Sequence, residues 1–356
     1  MPKPTVIDLF SGCGGMSLGL ENAGYDIVFA NDINSDALKT YKHNFPHVLV
    51  EHGDITKISP YEVSKKIKRK KIDIIVAGTP CQGFSTSGRR NPNDPRNKLF
   101  KQLLKFIEFF KPKMFVMENV SGLLSMEKGN AFEKIKKEFQ KAGYNVEHEI
   151  LSAADFGVPQ NRNRVFIIGS KKIISKKKLY PKPYVIKHVK VDEAISDLCF
   201  LGINEKSTSY KKPAKTKYQK LMRKSNLVLS NHESSNHSKR VQQRFSKIPQ
   251  GMDGRNVLKN TDTNKRDFYR LHPNKISRTI TTLPDDYIHY AKNRIPTVRE
   301  LARLQSFPDR FVFLGPRTTG GKQRIKSCPQ YTQVGNAVPP ILSEAVFKNI
   351  RKLFVN

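Results

Sequence analysis

Residues 78–90 read GTPCQGFSTSGRR and follow the apolar run KIDIIVA. A cysteine at the end of a buried strand is most often a small hydrophobe. Cys81 stands instead between proline and glutamine, at the carboxyl end of a strand, where open α/β sheets bind their ligands. Glycines at 83 and 88 let the loop after it move. Glu118 ends another apolar run, KMFVMEN, and Arg162 and Arg164 precede a further one in QNRNRVF. A thiol, a carboxylate and a pair of guanidinium groups on neighbouring strand ends can supply a nucleophile, an acid and an anion clamp.

A second constellation lies upstream. In DLFSGCGGMSLGL, Gly12, Gly14 and Gly15 separate a strand from a helix. Such a loop turns tightly and lets a ligand approach the backbone. Asp32, at the end of the next strand, can accept hydrogen bonds from ribose hydroxyls, so the pair suits a cofactor containing adenosine. A dinucleotide fits less well, because the third glycine of GxGxxG would fall on Ser17.

The elements that must carry these residues alternate. Runs at 5–10, 25–32, 71–78, 113–119 and 164–170 read as strands, the third and fourth buried on both faces. Residues 15–23 suit a helix; Leu99, Leu103, Phe106 and Phe110 mark another, as do Phe132, Ile135 and Phe139. The expected fold is a doubly wound, mostly parallel α/β sheet. The pattern breaks near residue 175, where a second, smaller and irregular domain begins; within it SRTITTL (277–283) reads as a strand. Helix returns at 297–305 and 339–354, with GNAVPP read as a tight turn into a helix started by proline.

The 356 residues carry 64 Lys+Arg against 31 Asp+Glu, a net charge of +33. Residues 171–296 alone hold a net +19, leaving +14 for the other 230. A field of that sign favours a polyanion, nucleic acid above all. The lysine clusters KKIKRKK (65–71) and KKIISKKK (171–178) read as solvated faces or loops. No apolar run approaches the ~20 residues of a membrane span. Cys13, Cys81, Cys199 and Cys328 are scattered, with no CxxC pair, which points to a reducing cytoplasm and no structural metal.

In order and spacing, DLFSGCGG, GTPCQGFS, ENV, QNRNR, RELARLQSFP and QVGNAVPP resemble the blocks of the C5-cytosine DNA methyltransferases. The resemblance covers most of 5–170 and 297–350. It departs at residue 79, a Thr where the family often has Pro or Phe. It implies a Rossmann-like catalytic and cofactor domain over 1–180, a target-recognition domain over 181–329 braced by a helix at 297–306, and a segment at 330–356 that returns to the catalytic domain. It implies methyl transfer from S-adenosylmethionine, leaving S-adenosylhomocysteine, to C5 of a cytosine flipped out of duplex DNA.

By the same resemblance Cys81 attacks C6, and Glu118 holds N3 and the exocyclic amine. Arg164 binds the cytosine O2, and Arg162 supports the site beside it. Phe10, Gly12, Gly14, Gly15, Asp32, Ile33, Asp54, Ile55, Pro80, Leu99, Asn336 and Ala337 surround the cofactor. Ser85 and Ser87 reach into the space the base vacates, Arg89 and Arg90 meet phosphates, and Thr281 and Thr282 belong to the recognition region. No metal is expected. The implied setting is a monomeric prokaryotic enzyme in the cytoplasm, with a restriction endonuclease of the same site as a companion. A tRNA cytosine methyltransferase would share the catalytic blocks, and a non-catalytic DNA-binding relative would share the fold. A nicotinamide oxidoreductase would leave PCQ and QNRNR unexplained.

Overall fold

The computed structural model of the chain describes residues 2–68, 71–80, 99–259, 267–318 and 327–354. Contacts divide it into two units. The first comprises Met1–Phe156, Asn163–Tyr184 and Pro340–Asn356, the second Gly157–Arg162 and Val185–Pro339.

The first unit is built on seven strands: β1 (Thr5–Leu9), β2 (Asp26–Asp32), β3 (Leu49–His52), β4 (Ile74–Gly78), β5 (Met114–Val120), β6 (Asn145–Ser152) and β7 (Asn163–Ser170). Their spatial order is β3-β2-β1-β4-β5-β7-β6, and β7 runs antiparallel to both its neighbours. The chain order reverses between β1 and β4, which makes the carboxyl ends of those strands the expected ligand crevice. The central strands form because TVIDL, IIVAG and MFVMENV offer nearly unbroken apolar side chains to both faces. β3 and β6 escape the sequence reading. Both are outer strands and mix apolar with charged residues, LVEH and NVEHEILS, as exposed edges do.

Helices α1 (Gly15–Asn22), α2 (Ser35–Asn44), α3 (Pro60–Ile67), α4 (Phe100–Phe110), α5 (Asn130–Lys141) and the short α6 (Lys176–Leu179) belong to this unit. α2 starts where the Asn34 side chain accepts from the backbone of Asp36 and Ala37, and α3 starts on Pro60. On one side of the sheet, Phe106 of α4 and Phe139 of α5 are fully buried, and the rings of Phe139 and Phe115 lie 4.3 Å apart. Each such ring stabilises the fold by about 1.5–3 kcal/mol.

The second unit holds α7 (Val191–Ile195), α8 (Lys217–Arg223), α9 (Lys239–Ser246), α10 (Val298–Leu304), α11 (Gln330–Asn336) and a two-stranded parallel sheet of β8 (Tyr269–Arg270) and β9 (Tyr287–Ile288). With so little regular structure, buried arginines satisfy the irregular backbone. Arg299 donates to Ser230 O, Pro308 O and Phe311 O, and Arg303 pairs with Asp309 and Asp197. Arg294 grips Glu300 through two 2.8 Å bonds. Burial alone would raise the Glu300 carboxyl; Arg294 and His289 beside it bring it well below the usual range.

Two sequence expectations change here. Residues 277–283 form no strand; Ser277 makes only an isolated bridge to Gln160. The backbone of Ile280 finds side chains instead of a partner strand: its N–H donates to Gln160 Oε1 at 2.7 Å, and its carbonyl accepts from Arg162 at 3.0 Å. Gly335 and Asn336 close helix α11 instead of forming a turn, and the helix that proline starts begins at Pro340 as read. Tyr331 and Gln333 of α11 are tied to Pro296 O and Leu314 O within the second unit, and the first unit resumes at Pro340.

From Pro340 the last helix, α12 (Pro340–Arg351), packs on α1 in the first unit. The contact is close: a Cβ on Gly19 would strike Ser343, whose hydroxyl donates to Met16 O at 2.8 Å.

Candidate active site

Five carboxyl strand ends of the first unit carry candidate residues. After β1, Phe10 and Gly12 adopt left-handed backbone (φ 56° and 55°), and Gly14 (φ 97°) precedes α1. Gly14 has no alternative, since a Cβ there would strike the Phe45 ring. Gly12 has open space above it, with no atom within 4 Å of a Cβ placed there. That space is what a ligand approaching the loop requires.

After β2, Asp32 faces the loop. One oxygen accepts from Gly12 N at 2.8 Å and the other from Asn34 N at 2.8 Å. Burial raises its carboxyl above the ordinary range, against the opposing pull of these amide bonds. Ile33 beside it is 69% exposed, an apolar side chain standing at the rim. After β3, Asp54 accepts from Thr56 N at 2.9 Å, and its carboxyl is lowered by the Thr56 hydrogen bonds. The Ile55 side chain is buried in the core, and half-buried Phe10 packs against that core. Leu99 caps α4 and also leans on the core.

A buried acid lies beneath this loop. Asp8 of β1 is completely buried and accepts from the Ser17 hydroxyl, which lies 2.8 Å from the hydroxyl of Tyr41. Burial pushes Asp8 up to about 7; the Ser17 bond opposes the shift and the charge of Asp32 adds to it. The sequence reading passed over Asp8. Its signal was Ser17 itself, standing where a dinucleotide loop would have glycine.

The chemistry gathers after β4 and β5. Glu118 stands opposite Gly78 in the parallel register, and Arg164 of β7 places its Nε 3.0 Å from Glu118 Oε1. The neighbour of Glu118, Asn119, is buried and donates from Nδ2 to Thr79 O (3.2 Å) and Thr79 Oγ1 (3.0 Å), while its own oxygen accepts from Val120 N. This strap fixes Thr79 and half-buried Pro80, the two residues that lead into Cys81. Cys81, Ser85, Ser87, Arg89 and Arg90 lie outside the described residues.

The remaining candidates belong to the second unit. Arg162 is buried and donates to Ile280 O at 3.0 Å, Gly335 O at 2.8 Å and Ala337 O at 3.1 Å. It is a clamp on backbone, joining the segment before Thr281 to the end of α11. Thr281 is exposed and donates to Asp286, and Thr282 O accepts from Thr332. Asn336 is exposed and Ala337 half-buried. Gly335 was not singled out from the sequence, yet a Cβ on it would strike the Thr281 carbonyl. Among the described residues no group of three or more His, Cys, Asp or Glu side chains could hold a metal, and no helix is long and apolar enough to cross a membrane.

Residues 4–352 match the family model for C-5 cytosine-specific DNA methylase. The chain is 40% identical to the type II methyltransferase M.DdeI of Desulfomicrobium norvegicum, over 99% of this chain and 89% of that protein. It is 37% identical to the type II methyltransferase M1.HphI of Haemophilus parahaemolyticus, over 99% and 88%. Among solved structures it resembles an E. coli protein encoded within a prophage and described as a DNA modification methyltransferase, with a TM-score of 0.81, 29% identity and coverage of 99% and 100%. The fold is shared with the S. pombe Dnmt2 methyltransferase at a TM-score of 0.59, 21% identity and coverage of 99% and 100%.

Proposed function

The chain belongs to the C-5 cytosine-specific DNA methylases, and from that premise we propose that it methylates a flipped cytosine through a covalent bond from Cys81 to C6. The observation that carries this reading is the Glu118–Arg164 pair beside the Asn119–Thr79 strap, with Thr79 followed directly by Pro80 and Cys81.

Cytosine C5 is a poor nucleophile. A thiolate adding to C6 pushes electrons toward C5 and N3, and makes C5 reactive. Glu118 delivers a proton to N3 as charge develops there, and its other oxygen accepts from the exocyclic amine. In the ion pair an opposite charge at 3.0 Å favours the ionised carboxylate. We therefore assign Arg164 two positions: on Glu118 at rest, and on the cytosine O2 once the base arrives, when Glu118 takes up a proton from water and carries it to N3. In the last step the C5 proton leaves to a base, the C5–C6 double bond returns, the thiolate departs, and N3 gives its proton back. Arg162 acts as a positioning residue through the backbone that it holds.

S-adenosylmethionine supplies, when bound, a methyl group made electrophilic by its sulfonium. The residues present fit it: the space over Gly12 admits a ligand, Asp32 retains acceptor capacity for ribose hydroxyls, and Ile33 offers an apolar side chain to cover adenine. The excess of Lys and Arg in 171–296 supports duplex DNA as the partner read by the second unit. M.DdeI and M1.HphI are named as type II methyltransferases, and we extend to this chain a companion endonuclease acting on the same sequence.

Bisulfite sequencing of DNA from a host expressing the chain tests the reading. Protected cytosines should appear in one sequence context, and a Cys81→Ser variant should leave none. Methyl transfer to tRNA in preference to duplex DNA would replace this reading with the tRNA one.

A further inference from the structure

We propose that the first unit carries a second polyanion-binding face, at the sheet edge opposite the glycine loop, which holds a second segment of duplex DNA. The identity of the polyanion rests on the DNA methyltransferase reading; the face itself rests on topology.

β1, β4 and β5 are parallel, so their amino ends share one edge, and antiparallel β7 ends there too, with Ser170 opposite Met114. Both lysine clusters that the catalytic reading leaves unused come to this edge. Lys68 and Lys71 lie between α3 and β4, Lys111 precedes β5, and Lys171, Lys172 and Lys177 follow β7; all six are exposed. The loops are laced into one surface. Lys171 N donates to Lys113 O at 3.1 Å and its Nζ to Lys111 O at 2.8 Å, while Lys113 N donates to Asp73 O at 3.0 Å. From the end of α12, Asn349 donates to Lys178 O at 2.8 Å and adds Lys348 and Lys352 to the same side.

The acids of this edge are few. Asp73 is paired with Lys113 at 3.1 Å, Asp26 opens β2, Glu108 stands in the last turn of α4, and Glu138 and Glu344 pair with Lys141 and Lys348. A concentration of positive charge this large, with so little to offset it, binds phosphate at low cost in specificity.

The strands separate the two edges by roughly 17–23 Å, five to seven residues at about 3.3 Å each. Duplex DNA is stiff over about 150 bp, so a duplex seated at the catalytic edge cannot turn to meet this one. A phosphate backbone held here belongs to another segment, and one protein molecule can then bridge two duplexes.

The test is a bridging assay with the full-length protein. Genomic fragments on beads, a labelled second duplex and the protein are mixed at low salt, and tritiated methyl transfer to genomic DNA is measured alongside. Wild type should retain the labelled duplex as a monomer by sedimentation. The variant with Lys68, Lys71, Lys111, Lys171, Lys172 and Lys177 all changed to Gln should lose retention at least tenfold and keep its transfer rate. Should that variant fold poorly, Lys171→Gln/Lys172→Gln/Lys177→Gln should still lower the salt slope of retention by about 0.9 for each lysine that meets a phosphate. No bridging by wild type, equal bridging by a folded variant, bridging only by a dimer, or competition by tRNA but not duplex would each overturn the proposal. Absence of methyl transfer by wild type would instead strike the DNA methyltransferase reading.

Discussion

Replacing Asp8 by Asn should make the protein's stability depend less on pH, in a direction the structure fixes. Asp8 is buried with one hydroxyl donor, Ser17, and burial pushes its carboxyl up to about 7 from an ordinary 3.8. Between these values the folded chain holds a proton that the unfolded chain has released. Raising the pH therefore favours the unfolded state, and wild-type stability falls from about pH 4 to pH 7 and then levels. Each pH unit in that window costs about 1.4 kcal/mol. From pH 5 to pH 8 the loss comes to roughly 2–3 kcal/mol, reduced near pH 7 where the folded group begins to ionise. Asn keeps the shape and a hydrogen bond to Ser17 but does not titrate. Urea unfolding of both proteins at pH 5, 6, 7, 8 and 9 measures the difference directly, because all other titrations are common to the pair. The variant should gain on wild type up to about pH 7–8 and then run parallel to it. A constant difference across the whole range would mean that Asp8 is already ionised in the folded protein, and that Ser17 and Tyr41 stabilise the charge.

Asp32→Ala should weaken S-adenosylmethionine binding by about 1–3 kcal/mol in calorimetry, since charged hydrogen bonds to ribose are lost; unchanged affinity would remove Asp32 from the cofactor site. Asn119→Ala removes the strap to Thr79, and should lower kcat while leaving cofactor affinity intact. An equal loss in both would make the strap a general prop of the fold. Gly335→Ala forces a methyl group against the Thr281 carbonyl and should destabilise the protein by about 1–3 kcal/mol, seen as a lower Tm. No shift in Tm would mean that α11 moves aside freely.

The legible parts of the fold were those where one physical signal dominates. β4 and β5 announced themselves because a strand covered on both faces is apolar throughout. β3 and β6 gave no such signal, being edge strands whose charged residues face water. The 277–283 segment misled for a different reason: its β-branched residues suit an extended chain, but side chains from Gln160 and Arg162 meet its backbone where a strand would. Nothing in the local sequence tells a backbone clamp from an anion clamp; the family resemblance alone gave the two arginines of QNRNR different roles. The fold adds their partners: buried Arg162 is on three carbonyls and Arg164 on Glu118. Gly335 was illegible because its partner, Thr281, lies far away along the chain.

The covalent step itself can be trapped. A duplex of natural sequence with its cytosines replaced by 5-fluorocytosine, mixed with the protein and S-adenosylmethionine, offers a C5 position that cannot release a proton after methyl transfer. The bond from sulfur to C6 then has no route to collapse. The account predicts a protein–DNA adduct that survives denaturing electrophoresis and maps by peptide mass to Cys81. Cys81→Ser should abolish it, and Cys13, Cys199 or Cys328 changed to Ser should not. A wild-type protein that methylates cytosine at C5 in ordinary duplex yet never forms this adduct would contradict the role assigned to Cys81.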